Sequence, residues 1–218
     1  MPSRPSTHST SSRERLLSAA KRLFAAQGYE QTATSAIARA AGTSESQLMR
    51  YFGGKNGLLE ALFEDAWVDL NRRVERAAAK AESPRTALLS MVETVIATLA
   101  RDADQAMLFL FEARRVRGSR RVRLSSGFTT FNERLKETVR RGQSTGELNP
   151  RLDAAALTAA ILGAAESMLR ERLMMRAHGA RAFAESEIHR TLEALLSGVE
   201  QRTRPARRKV AVPGARAS

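Results

Sequence analysis

Residues Thr34–Phe52 read TSAIARAAGTSESQLMRYF. Two short amphipathic segments flank Gly42-Thr43-Ser44, a glycine-containing turn of the length that joins helices crossing at a steep angle. Thr34 stands as N-cap of the first segment, and Ser44 precedes the second. Ile37, Ala38, Ala41, Leu48 and Phe52 fall on the inward faces, where small alanines let the two backbones approach. Glu45, Ser46, Gln47, Met49, Arg50 and Tyr51 are left for the outer surfaces. Such a corner occurs in any helical bundle, so the flanking sequence has to decide what it is for.

Upstream, Ser11-Ser12-Arg13-Glu14 offers a reciprocal capping pair, a serine followed three residues on by a glutamate. Leu16, Ala20, Leu23 and Phe24 continue at helical spacing, and Gly28 supplies the stop. Downstream the segments lengthen: the pattern predicts helices at about 55–80, 85–101, 104–116, 121–141, 153–178 and 183–201. Breaks fall at Ser83-Pro84, Gly118, Gly142 to Pro150 and Gly179. Period-two alternation of β-branched residues is missing. The expectation is an all-α protein of about nine helices, with a three-helix N-terminal unit and a larger C-terminal helical domain.

Composition narrows the function classes. A chain of 218 residues buries a core without covalent staples. It has no cysteine, which removes disulfides and thiolate metal sites. His8, His178 and His189 are scattered, so no metal and no cofactor are expected. No nucleophile-base pair, Gly-rich phosphate loop or Glu-x-x-His pair supports a helical-bundle enzyme, the first rival reading. The longest nearly apolar stretch, Ala154–Ala165, is far short of the roughly 20 residues that span a bilayer. The start MPSRPSTHSTSS lacks the apolar core of a secretory signal. A cytoplasmic protein without a membrane partner is expected.

The net charge of +13 points toward nucleic acid, although RNA or a membrane surface fits the charge equally well. Roughly half of it lies at the ends: Arg4 in the polar arm, residues 1–11, and Arg202, Arg204, Arg207, Arg208, Lys209 and Arg216 in a basic tail, residues 202–218. A second rival follows, a sequence-indifferent nucleic-acid coating protein driven by that tail.

The run from Arg13 to Phe63 carries Gly28-Tyr29, Thr34, Ile37-Ala38, Ala41-Gly42, Ser44, Leu48, Tyr51-Phe52, Lys55, Leu58-Leu59 and Phe63. At that spacing it resembles the N-terminal domain of the tetracycline-repressor (TetR/AcrR) family. The resemblance implies a helix-turn-helix domain over residues 12–58 that binds double-stranded DNA. It implies that the helix after Ser44 enters the major groove, and that Thr34, Tyr51 and Lys55 touch phosphates, which set register. Ser46, Gln47 and Arg50 are then the candidate base readers, because glutamine pairs bidentately with adenine and arginine with guanine. Gln47 also sits where it would close a capping box with Ser44. Glu45 serves either the helix dipole or a cytosine amino group. Two departures stand out: Met49, where the family often has tyrosine, and Gly53-Gly54-Lys55-Asn56-Gly57. There Gly57 is expected to cost about 1 kcal/mol of helix stability relative to alanine and to loosen the joint.

Residues from about 65 to 201 match no motif, and the resemblance implies that residues 59–201 form a ligand-binding and dimerisation domain. An apolar small-molecule effector is expected, with Trp67, Met91, Phe109, Phe128, Phe131 and Met168 as candidate lining and Glu112 and Glu166 as polar anchors. The run Arg114–Arg123 holds six arginines, either a solvated corner or a phosphate site. Leu157, Ile161 and Ala164 on one helix and Ile188, Leu192, Leu195, Leu196 and Val199 on the next are the candidate homodimer interface. A symmetric dimer, most simply a repressor released by its ligand, reads a palindromic operator.

Overall fold

The computed structural model describes residues 11–112 and 125–198, with the side chain of Glu112 outside the description. The polar arm up to Thr10, the Arg114–Arg123 run, Val199 and the basic tail therefore lie outside the described residues. Within them the chain forms α1 (Ser12–Gln27), α2 (Thr34–Ala40), α3 (Glu45–Phe52), α4 (Lys55–Ala78), α5 (Pro84–Arg101), α6 (Ala103–Met107), a π-helical turn (Leu108–Glu112), α7 (Ser126–Ser144), α8 (Ala154–Ala177) and α9 (Glu185–Gly198). No strand occurs among the described residues.

Local chemistry sets most boundaries. The Glu14 amide donates to Ser11 Oγ and the Ser11 amide to the Glu14 carboxylate, so the expected capping box opens α1. Hydrogen bonds from Ser11, the backbone one foremost, hold the Glu14 carboxyl below its usual range. Ser83 and Thr86 form a second such box around Pro84, whose missing N–H is harmless in a first turn. Asp153 caps α8 by accepting from the Ala156 amide at 2.8 Å. Each cap of this kind contributes about 1 kcal/mol.

Three expectations need correction. Thr34 is the first residue of α2 rather than its cap; Ala33 holds the cap position without a side-chain bond. α7 runs through Gly142 to Ser144, where Gly142 is not a stop but a close-approach position: a Cβ there would stand 2.9 Å from the Leu148 side chain. Of the helix expected over 104–116, the described part is a short α6 followed by the π turn, and residues 113–116 lie outside the described residues. A π turn carries one extra residue per turn and rotates the side chains that follow. Here it sends Leu108 into the N-terminal core while Ala106 and Leu110 join the larger one.

Two cores result. The smaller joins α1, α2 and α3 with the start of α4 around Leu16, Phe24, Ile37, Leu48 and Leu58. The larger joins the rest of α4 with α5, α7, α8 and α9 around Leu70, Leu88, Met91, Phe131 and Leu135. α4 passes unbroken through the expected division at residues 58 and 59, and Phe63 packs against both cores. The N-terminal unit is thus continuous with the first helix of the second.

Candidate functional site

α2 and α3 are locked before they are exposed. Gly42 takes a left-handed φ of +61°, which turns the chain sharply and lets the Thr43 amide reach Ala38 O at 3.0 Å. Arg15 Nε donates to Ala41 O at 3.0 Å, tying α1 to the end of α2. Ile37, Ala38, Ala41 and Leu48 are buried. That leaves α3 presenting Glu45, Ser46, Met49 and Arg50 outward, with Tyr51 also exposed.

The candidate readers have local partners. Ser44 caps α3 by accepting from the Gln47 amide at 3.3 Å. The Gln47 side chain does not complete a capping box; its Oε1 accepts from the Thr43 hydroxyl at 2.7 Å. Thr34 donates its hydroxyl to the Glu45 carboxylate at 3.0 Å, across the turn. The Arg50 guanidinium lies 5.2 Å from the Tyr51 ring centre, parked over its face. Lys55 Nζ donates to Tyr29 O and Glu30 O at 2.8 and 3.2 Å and sits above the Tyr29 ring, holding the loop after α1 against α4.

The joint after α3 is tight where looseness was expected. Gly53 and Gly54 have φ of +67° and +123°, and a Cβ at Gly57 would fall 1.9 Å from the Phe52 carbonyl oxygen. The third glycine is therefore a steric requirement of the α3–α4 approach, which overrides its low helix propensity.

Beyond the head, the expected ligand residues split. Trp67 has ring centres of Phe109, Phe128 and Phe131 at 5.2, 5.6 and 5.4 Å, an aromatic cluster whose members fill one another's space. Met91 is buried in the same core, and Met168 packs partly buried against it. Glu166 pairs with Arg170 one turn on at 2.6 Å. A half-open cavity of about 370 Å³ lies elsewhere, between the end of α5, α6 and the last turns of α8. Leu99, Met107, Leu110, Leu169 and Leu173 form its apolar walls, Arg172 and Arg176 its polar ones. None of the expected ligand residues whose side chains are described lines it; the Glu112 side chain lies outside the description.

The expected interface residues split as well. Leu157, Ile161, Ile188, Leu192 and Leu196 are buried within the subunit, so they have little surface left to cover. Ala164 is half-buried, and Leu195 is 52% exposed.

Residues 16–62 match the model of bacterial regulatory proteins of the tetR family, and residues 81–170 match that of the tetracyclin repressor-like C-terminal domain. The chain belongs to the tetR family of bacterial regulatory proteins.

Among relatives of this tetR-family chain, the HTH-type transcriptional regulator HbdR of Aromatoleum sp. (strain CIB) is 27% identical over 138 residues. That match covers 63% of this chain and 60% of HbdR. The regulator FadR from Bacillus subtilis, solved in complex with stearoyl-CoA, shares the fold at a TM-score of 0.75 and 21% identity, over 84% of this chain and 96% of that one. AibR, solved in complex with isovaleryl coenzyme A and operator DNA, shares it at a TM-score of 0.68 and 18% identity, over 85% and 97%. No helix among the described residues is long and apolar enough to cross a membrane.

Two features of this tetR-family protein escaped the sequence reading. Lys21 and Asp102 form a 2.6 Å ion pair that joins α1 to the cap of α6. Burial raises the Asp102 carboxyl, but hydrogen bonds from Lys21 and Gln105 and the lysine charge outweigh it and hold the carboxyl below its usual range. Arg172 is the other. It continues the buried face Thr158, Ile161, Ala165 and Leu169 at helical spacing, a charge where an apolar side chain belongs. That break in period was the available signal.

Proposed function

We propose that this transcriptional regulator is a dimeric repressor whose α3 reads a palindromic operator, and that a small molecule bearing an acyl chain releases it. The observation that carries the reading is the outward polar face of α3, held by the buried Leu48 and capped by Ser44. Ser46 and Arg50 read bases from that face, and Arg50 leaves the Tyr51 ring to do so. Gln47 joins them only when Thr43 releases its carboxamide oxygen. Thr34, Tyr51 and Lys55 meet phosphates; Lys55 does so with the one ammonium proton not spent on Tyr29 and Glu30.

The acyl-chain effector is suggested by relatives crystallised with stearoyl-CoA and isovaleryl coenzyme A. Dimerisation uses the outward sides of α8 and α9. There Ala155, Ala159 and Gly163 are exposed beside Leu195, and a Cβ at Gly163 meets nothing within 4 Å. Small residues on that side allow the close helix approach of a four-helix interface.

Footprinting of the purified full chain on DNA flanking its own gene tests this. An inverted repeat that is protected, and freed by an acyl-coenzyme A, is the expected result. Protection without sequence preference, lost on removing residues 204–218, contradicts it and favours the coating protein.

A further inference from the structure

The charge beside the cavity has no counter-charge among the described residues. Arg172 is only 8% exposed, yet among the described residues its single hydrogen bond runs from Nε to Phe183 O, at 3.1 Å. Arg172 also lines the cavity, and no described residue forms an ion pair with it. Arg176, one turn further along α8, lines the same space. Arg170, on the same helix, is treated differently: it meets the Glu166 carboxylate and lies 5.9 Å from the Phe111 ring centre.

A buried cation of this kind is costly. Arginine does not escape by losing its proton, as a buried lysine does, and its two forward-facing N–H groups match the two oxygens of a carboxylate or phosphate. Its guanidinium is held in orientation through the Phe183 carbonyl. The remaining walls are leucine, methionine and alanine, which gain by covering hydrocarbon and offer nothing to a polar body. At about 370 Å³ the space lies near the lower end of the range occupied by small-ligand sites, roughly 300–1,000 Å³.

From this arrangement we infer that the cavity between α5, α6 and α8 is an anion site. It takes a ligand with one apolar chain and one oxyanion, and Arg172 binds the oxyanion bidentately with Arg176 beside it. The inference rests on the effector-binding reading of the C-terminal domain and adds the charge, the place and the anchoring residue. Two sources supply that chemistry, the carboxylate of a free acid and a phosphate of its coenzyme A thioester.

Calorimetric titration of the full chain, without DNA, separates them. The probes are hexanoate, decanoate and palmitate, the matching coenzyme A thioesters and the matching primary alcohols. At least one anionic series is expected to bind, with the alcohol of the same length at least about tenfold weaker. Binding by the acids alone assigns the carboxylate; binding by the thioesters alone assigns the phosphate. Arg172→Gln is expected to weaken the bound anion at least about tenfold and leave the alcohol unchanged. Should that variant fail to fold, Arg176→Gln, at an exposed position, is expected to weaken the anion by a smaller factor and not the alcohol. Alcohols that bind as tightly as the anions, a folded Arg172→Gln protein with unaltered anion affinity, or an Arg176→Gln protein unaltered where Arg172→Gln does not fold would overturn the inference. So would a wild-type protein that binds none of the three series. A protein that binds decanoate but never leaves its DNA would instead overturn the repressor reading and leave the site standing.

Discussion

The corner between α3 and α4 and the cavity beneath α6 use small residues to opposite ends. At Gly57 the missing side chain is replaced at once by a carbonyl oxygen, 1.9 Å from where a Cβ would sit. Around the cavity, Ala100, Ala103, Ala106 and Ala177 leave room that nothing in the described chain fills. The head is therefore stiffened by its small residues, and the C-terminal domain is hollowed by them. A rigid reader joined to a partly empty sensor suits a regulator, because a ligand shifts an equilibrium only where it makes contacts that one state lacks. The π turn and the Lys21–Asp102 pair lie between the two regions, with Leu108 in one core and Leu110 in the other.

The contrast breaks most readily at Gly57. Gly57→Ala should lower stability by about 3 kcal/mol in chemical denaturation, the cost of overpacking, although helix propensity alone forecasts a gain of about 1 kcal/mol. A stabilised variant would mean that the corner is as loose as its glycines suggest. Next in size, Arg50→Ala should weaken binding to the footprinted operator by about 2 kcal/mol, roughly thirtyfold, with the melting temperature unchanged. An equal loss on unrelated duplexes would reduce Arg50 to a phosphate contact.

At the joint, Asp102→Asn keeps a capping side chain but removes the charge opposite Lys21. A loss of about 1 kcal/mol at neutral pH is expected by denaturant titration. The sign of the pH dependence follows from the depressed carboxyl. Its contribution is fully present above the unfolded aspartate value of about 3.9 and disappears as pH falls through the lower folded value. The acid limb of the stability curve should therefore be shallower in the variant; Glu14 contributes with the same sign and remains. Smallest of all, Ala100→Leu, which extends a side chain into the cavity, should change stability by less than about 1 kcal/mol. A large destabilisation there would show that the cavity is not free space.

The head was legible in the sequence because its signals are local. A serine and a glutamate three apart cap a helix, a glycine turns the chain, and an apolar period marks the inner face. Gly57 was misread because its reason is the Phe52 carbonyl, placed there by two positive-φ glycines rather than by any pattern within α4. The partners of the candidate readers were hidden for a similar reason. Thr34 meets Glu45 and Thr43 meets Gln47 only once the turn is folded. In the C-terminal domain, apolar stripes identified what is buried but not against what. The aromatic residues expected around a ligand pack on each other, and Ile188, Leu192 and Leu196 complete their own subunit. The cavity follows from how α5, α6 and α8 meet, a tertiary property, and the arginine at an apolar position, which escaped the sequence reading, was the signal available for it.

The central claim, that α3 reads a defined DNA sequence, is tested most directly by selecting duplexes from a random pool with the full-length protein. Enrichment of one inverted repeat, lost with Arg50→Ala while weak general binding persists, is the result expected. A pool that stays unenriched, or an enrichment that Arg50→Ala leaves intact, would contradict it.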